Sequence, residues 1–270
     1  MNYTLRVSKL LLWLGFNVII FLYLVSAFKV RVPILCFHEV LMEPSKNPLA
    51  WQRERLEFWL KRLKSAGYQF ILPGDSITLR EYLSEKQVIL TFDDGTLDHY
   101  QTVLPLLDEF DAEAVFFWIT SEIKKLNPMQ RSLLVKKLGE SKFGSHTTQW
   151  RSMLTMNNDE RQREIDDSVD FLERFSKQKI EHFAFPGGEY DDSLEVMTLQ
   201  RFKYVFSVDL GYFWPSRRQI HGRYMVDVNT TDANIEEYLA RAKPFLEWDF
   251  WLLILSWVFL NILLILRKTK

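Results

Sequence analysis

Gln87-Val88-Ile89-Leu90-Thr91-Phe92-Asp93-Asp94-Gly95 is a run of apolar and β-favouring residues that ends abruptly in two carboxylates and a glycine. The run reads as a buried strand, and its charged end as the point where the chain leaves the sheet. Two adjacent aspartates raise each other's pKa, so such a pair calls for a cation, a hydrogen-bond network or a role in proton transfer. Gly95 permits the sharp turn that would bring both side chains to one site. Taken alone, Asp93-Asp94-Gly95 is equally readable as a turn capping the next helix.

Outward from this strand, short apolar runs alternate with amphipathic segments, the pattern of βα units around a parallel sheet. Strands are expected near 32–38, 69–72, 87–92, 113–119, 142–146, 181–185, 203–208 and 222–227. Trp51 to Ala66 places Leu56, Trp59, Leu60 and Leu63 at helical spacing, with Gly67 as the C-cap; a second helix is expected over about 97–110, and a third, highly charged, over 158–176. This is an α/β fold, a distorted βα barrel of about seven to eight strands, closed or nearly closed. Chemistry in a barrel belongs at the C-terminal ends of the strands.

Three more strand ends carry chemical groups. Phe143-Gly144-Ser145-His146-Thr147-Thr148 closes one with His146, and Phe183-Ala184-Phe185-Pro186-Gly187-Gly188-Glu189-Tyr190 closes another with a Pro-Gly turn. Val32-Pro33-Ile34-Leu35-Cys36-Phe37-His38-Glu39-Val40 closes a third with His38. Four strand ends thus deliver two carboxylates, two histidines and a glycine-rich backbone turn to one face. Cys36, the lone cysteine, excludes an intrachain disulfide and reads as a small buried strand residue rather than a nucleophile.

These residues resemble the NodB-type polysaccharide deacetylases over nearly all of 32–240, with Thr91-Phe92-Asp93-Asp94-Gly95 the most specific element. The resemblance implies a distorted barrel that uses a divalent metal of the Zn, Ni or Co type to hydrolyse N-acetyl groups of sugars. On that pattern Asp93 looks like the general base, while Asp94 and His146 look like metal ligands. The opening and the Phe-Ala-Phe-Pro-Gly-Gly-Glu-Tyr turn look most like the subgroup acting on poly-N-acetylglucosamine, which gives His38 the role of catalytic acid. A backbone N–H near Gly187 or Gly188 would face the oxyanion, and Tyr190, Phe213 and Trp214 would either stack on sugar rings or belong to the core.

The pattern breaks at one ligand. The second metal histidine is replaced by Trp150, and indole binds no metal, which leaves two protein ligands where catalytic zinc keeps three. Either Gln149, His99 or another loop residue completes a weaker site, or the metal is absent and a sugar-binding cleft remains, or Asp93, Asp94 and His38 act on a different acyl group without metal. For His99 the alternative is an ordinary exposed helix residue. His182 and His221 match no motif position. The corresponding functions are a membrane-anchored polysaccharide deacetylase and, alternatively, a metal-free carbohydrate-binding or scaffold subunit of a membrane polysaccharide assembly.

Leu10 to Phe28 and Phe250 to Leu266 are 19 and 17 residues without a formal charge, each long enough to cross a bilayer as a helix. The first reads alternatively as a cleavable signal peptide and the second as a buried core helix. Arg267, Lys268 and Lys270 place the C-terminus in the cytoplasm, and Arg6 and Lys9 agree for the N-terminus. The expected organisation is therefore 1–9 cytoplasmic, 10–28 spanning, 30–248 an extracytoplasmic domain, 250–266 spanning and 267–270 a cytoplasmic tail in the plasma (inner) membrane. Expected partners are an N-acetylated polysaccharide or lipid-linked glycan, the membrane, and polysaccharide synthase or export subunits. The formal net charge of −1 offers no field for nucleic acid.

Overall fold

A computed structural model describes residues 31–75, 86–137, 142–215 and 219–242. Both apolar segments, with 1–9 and 267–270, lie outside these residues; among the described residues no helix is long and apolar enough to cross a membrane.

The core is one parallel sheet. Strands β1 (Ile34–Phe37), β4 (Tyr68–Phe70), β5 (Lys86–Phe92), β6 (Val115–Trp118), β7 (Lys142–Ser145), β8 (His182–Ala184), β9 (Tyr204–Phe206), β10 (Ile220–His221) and β11 (Tyr224–Met225) form it. The order is β10-β9-β8-β7-β6-β5-β1-β11, and β4 pairs with the start of β5, whose end pairs with β6. The two-residue strands β2 (Val40–Leu41) and β3 (Trp51–Gln52) pair separately. Every βα crossover being parallel, the loops after the strands share one face.

Eight of these strands coincide with expected ones; β2, β3 and β10 are too short to show a period in the sequence. The expected distorted barrel holds in part: the sheet is parallel and curled, but its ladder ends at β10 on one side and β11 on the other, so full closure is not met among the described residues. Those two strands are consecutive in the chain and joined only by Gly222 and Arg223. A parallel pair needs a crossover of a dozen or more residues, so β10 and β11 cannot pair, and the sheet curls without closing.

Helices cover the outside. Helix α1 (Arg53–Ser65) buries Leu56, Trp59, Leu60 and Leu63 as the spacing predicts, and Gly67 follows its end at φ +79°. The segment after β5 enters as a π turn, His99–Val103, before α2 (Leu104–Glu109). Helices α3 (Thr120–Lys125) and α4 (Pro128–Lys137) follow β6. Helix α5 (Asn158–Ser176) starts with a capping box between Asn157 and Glu160 and buries Ile165, Val169 and Leu172. Helices α6 (Asp192–Arg201) and α7 (Asp232–Ala242) complete the set. The inside is filled by side chains: the Phe117 ring occupies the space a Cβ on Gly144 would take, at 2.4 Å.

Candidate active site

Strand alternation decides which way each group points. In β5, Val88, Leu90 and Phe92 join the core cluster, and Phe92 stacks between Phe37 and Phe116. Thr91 and Asp93 have the opposite parity and turn inside, where Cys36 is the register partner of Thr91. Inside, they meet Arg223. Its guanidinium donates to Asp93 Oδ1 at 2.7 Å and Oδ2 at 2.6 Å, to Thr91 Oγ1 at 3.2 Å and, through Nε, to Ser207 O at 3.0 Å. The rings of Phe117 and Phe206 flank it, with centroids 5.3 and 6.0 Å away.

Arg223 is fully buried and Asp93 nearly so. Burial pushes the Asp93 carboxyl up, but the Arg223 guanidinium and the neighbouring His146 override it and hold the group far below the usual carboxylate range. Asp93 is therefore an oriented carboxylate that is ionised at rest. The Cys36 thiol donates to Asp93 Oδ2 at 3.6 Å, which gives Cys36 a second partner role beyond the packing expected of it.

The turn after Asp93 uses two left-handed residues, Asp94 at φ +73° and Gly95 at φ +72°. A Cβ at Gly95 would lie 2.3 Å from the Trp118 ring, so only glycine allows this approach. The turn brings Asp94 Oδ1 to 3.5 Å from His146 Nε2. His146 Nδ1 donates to Ala184 O at 2.8 Å; since a carbonyl only accepts, the ring carries its proton on Nδ1 and turns the Nε2 lone pair toward Asp94. This carbonyl-fixed tautomer is the usual state of a metal-ligating histidine. The separation is close to that between two ligands of one ion at bond lengths of about 2.1 Å. Asp94 and His146 therefore fit a divalent cation.

Burial lowers the proton affinity of His146, but Asp94 and Asp93 outweigh it and raise its pKa; burial raises Asp94, and the contact with His146 reverses the sign. His38 is buried at the end of β1, and one of its ligand atoms lies within 4.8 Å of Cys36 Sγ and an Asp93 oxygen. That trio is the one His/Cys/Asp/Glu group among the described residues with metal-like spacing. It is a poor metal site: both Asp93 oxygens are bound by Arg223, and burial drives the Cys36 thiol far up, away from the thiolate a metal requires. Burial depresses the His38 pKa, against the pull of Asp93 and Asp94.

Several expected roles change. His99 is neither a ligand nor an exposed helix residue: the π turn buries it completely, with Nε2 donating to His38 O at 2.9 Å. Gln149 is exposed, and Trp150 is 70% exposed. The Gly188 N–H closes the turn on Phe185 O at 2.8 Å, so it is not free for an oxyanion; Gly187, exposed at φ +68°, is the remaining donor of the pair. Tyr190 is half-buried and stacks on Phe185, 5.1 Å between centroids, and Phe213 is core. His182 donates to Pro73 O at 3.3 Å and stacks on Tyr204, and His221 lies against Phe206 and Phe213; both are structural. Arg223 belongs to none of the sequence motifs. Its signal was a single charged residue inside the otherwise apolar and polar-neutral start of the strand expected at 222–227.

The sheet thus brings an arginine-bound aspartate, an aspartate–histidine pair and a second histidine to one set of strand ends, an arrangement able to hold a cation and move a proton. The sequence profile of the polysaccharide deacetylase family matches residues 80–205 of this chain. The chain is 27% identical over 167 residues to YxkH of Bacillus subtilis (strain 168), a protein bearing the polysaccharide deacetylase name; the match spans 60% of this chain and 58% of that one. Among solved structures, it is similar to the Streptococcus pyogenes deacetylase PplD (TM-score 0.68, 24% identity, 78% of this chain and 99% of that one). It is also similar to IcaB from Ammonifex degensii (TM-score 0.64, 25% identity, 79% and 97%).

Proposed function

We propose that this chain hydrolyses N-acetyl groups of a polysaccharide or lipid-linked glycan, with poly-N-acetylglucosamine-like polymers as the substrate class. The observation that carries the reading is the convergence of His38, Asp93, Asp94 and His146 at one set of strand ends, with Asp93 locked by Arg223. An amide is a poor electrophile with a poor leaving group, so water, carbonyl and amine all need assistance. A divalent ion held by Asp94 and His146 would polarise the acetyl carbonyl and acidify water beside it.

The chain's own residues do the rest. Asp93, kept ionised and pointed by Arg223, takes a proton from the attacking water as its oxygen bonds to the acetyl carbon. Gly187 offers its N–H to the oxygen that becomes negative. His38 then gives a proton to the sugar nitrogen as the C–N bond breaks, leaving acetate and a free amine. Purified full-length chain supplied with Zn, Ni or Co is expected to release acetate from N-acetylglucosamine oligomers, and Asp93→Asn to abolish the release. Absence of acetate with every metal would defeat the reading.

Trp150 favours a second reading, a carbohydrate-binding subunit that has lost its metal, because no third histidine, cysteine or carboxylate joins Asp94 and His146 among the described residues. Elemental analysis after gentle purification separates the two: oligosaccharide binding without stoichiometric metal supports the binding subunit. The two uncharged segments, 10–28 and 250–266, support a plasma-membrane protein with this domain outside the cytoplasm, beside polysaccharide synthase or export subunits.

A further inference from the structure

Residues 38–40, which carry the acid, leave β1 under restraint at three successive positions. His99 Nε2 donates to His38 O at 2.9 Å, Trp51 N donates to Glu39 O at 2.8 Å, and Val40 N donates to Asp98 Oδ2 at 2.7 Å. Two of the three restraints come from Asp98 and His99, four and five residues beyond Asp94. The π turn that begins at His99 is a rare geometry, found most often at functional sites.

The His99 ring sits among Phe92, Phe116 and Trp118, at centroid distances of 5.7, 5.6 and 5.9 Å. A phenyl ring would fill that nest without desolvating two nitrogens. His99 is fully buried, and its Nδ1 has no hydrogen-bond partner among the described residues, so the imidazole bears an uncompensated polar atom for the sake of one bond to His38.

We propose that Asp98 and His99 are positioning residues that fix the catalytic acid against the base. The segment leaving the strand of Asp93 and Asp94 reaches back and clamps the backbone of His38, so one stretch of chain sets the distance between proton acceptor and proton donor. The role rests on the reading of His38 as the acid for the departing amine.

The test uses full-length chain with His99→Phe, His99→Gln, Asp98→Ala and Asp98→Asn, on an N-acetylglucosamine oligomer and on 4-nitrophenyl acetate, whose phenolate leaves without a proton. His99→Phe and Asp98→Ala are expected to lower kcat on the oligomer by roughly 10- to 100-fold at unchanged KM, part of what a general acid contributes. The ester rate should stay within about twofold by the same argument. His99→Gln, which restores a donor, and Asp98→Asn, which restores an acceptor, should recover most of the loss. An equal fall on both substrates, or no fall on the oligomer, overturns the proposal.

An inactive wild type would defeat the functional reading alone, because amide hydrogen exchange at residues 38–40 tests the clamp without activity. It should quicken at least about tenfold in His99→Phe and Asp98→Ala, through easier local opening. Unchanged exchange overturns the clamp. If His99→Phe does not fold, the Asp98 pair decides by the same readings.

Discussion

Asp93 and Arg223 form a buried pair in which each charge depends on the other. Removing one partner of such a pair leaves an unsolvated charge and costs about 3–5 kcal/mol. Arg223→Met should therefore lower stability by about that amount in a denaturant melt and remove acetate release, because Asp93 loses both its charge partner and its orientation. Arg223→Lys keeps the charge but supplies a point donor in place of the planar fork that holds both Asp93 oxygens, Thr91 and Ser207 O. It should fold with a smaller loss, of about 1–2 kcal/mol in the same melt, while kcat still falls by at least about tenfold. Asp93, Asp94, His38 and His146 were all legible in the sequence because each ends a recognisable strand. Arg223 was not, because its meaning comes from the other side of the sheet, 130 residues along the chain from Asp93.

The Pro186–Gly188 turn after β8 shows how an element separates two adjacent glycines that look alike in sequence. Both have positive φ, +68° and +75°, yet a Cβ on Gly187 meets nothing within 4 Å, whereas on Gly188 it meets Val208 Cγ2 at 2.2 Å and Val208 N at 2.9 Å. Gly187→Ala should cost about 1 kcal/mol, from left-handed strain alone. Gly188→Ala adds overpacking against backbone and should cost about 2–4 kcal/mol, measured as a shift in thermal midpoint. A stability loss no larger at Gly188 than at Gly187 would contradict this. Elements with a clear period, such as α1 and α5, were placed within about two residues by their apolar stripes and caps. The π turn at His99 was not legible, since Val103, Leu104, Leu106 and Leu107 fit an ordinary helix equally well and only the buried imidazole reveals the wider turn.

At the scale of the whole molecule, the sheet remains open between β10 and β11, and two buried histidines lie in its strands. His221 belongs to β10 and packs on Phe206 and Phe213; His182, on β8, packs on Tyr204. Burial pushes both imidazoles down to about 4, and the hydrogen bond from His182 to Pro73 O only partly opposes this. Each is neutral in the folded chain and, in the unfolded chain, takes up a proton near its ordinary value of about 6.5. Protonation therefore favours the unfolded state: stability is full above about pH 6.5, declines as pH falls, and the decline levels off below about 4. At 1.36 kcal/mol per unit, two such groups amount to several kcal/mol, a large share of a typical domain's stability. His221→Phe, which keeps an aromatic ring against Phe206 and Phe213, should remove about half of the loss between pH 6.5 and 4 seen in urea melts. An unchanged pH profile in that variant would show that the acid sensitivity lies elsewhere, most directly in the carboxylates held by Arg223 and His146, whose protonation begins at lower pH because their pKa values are depressed.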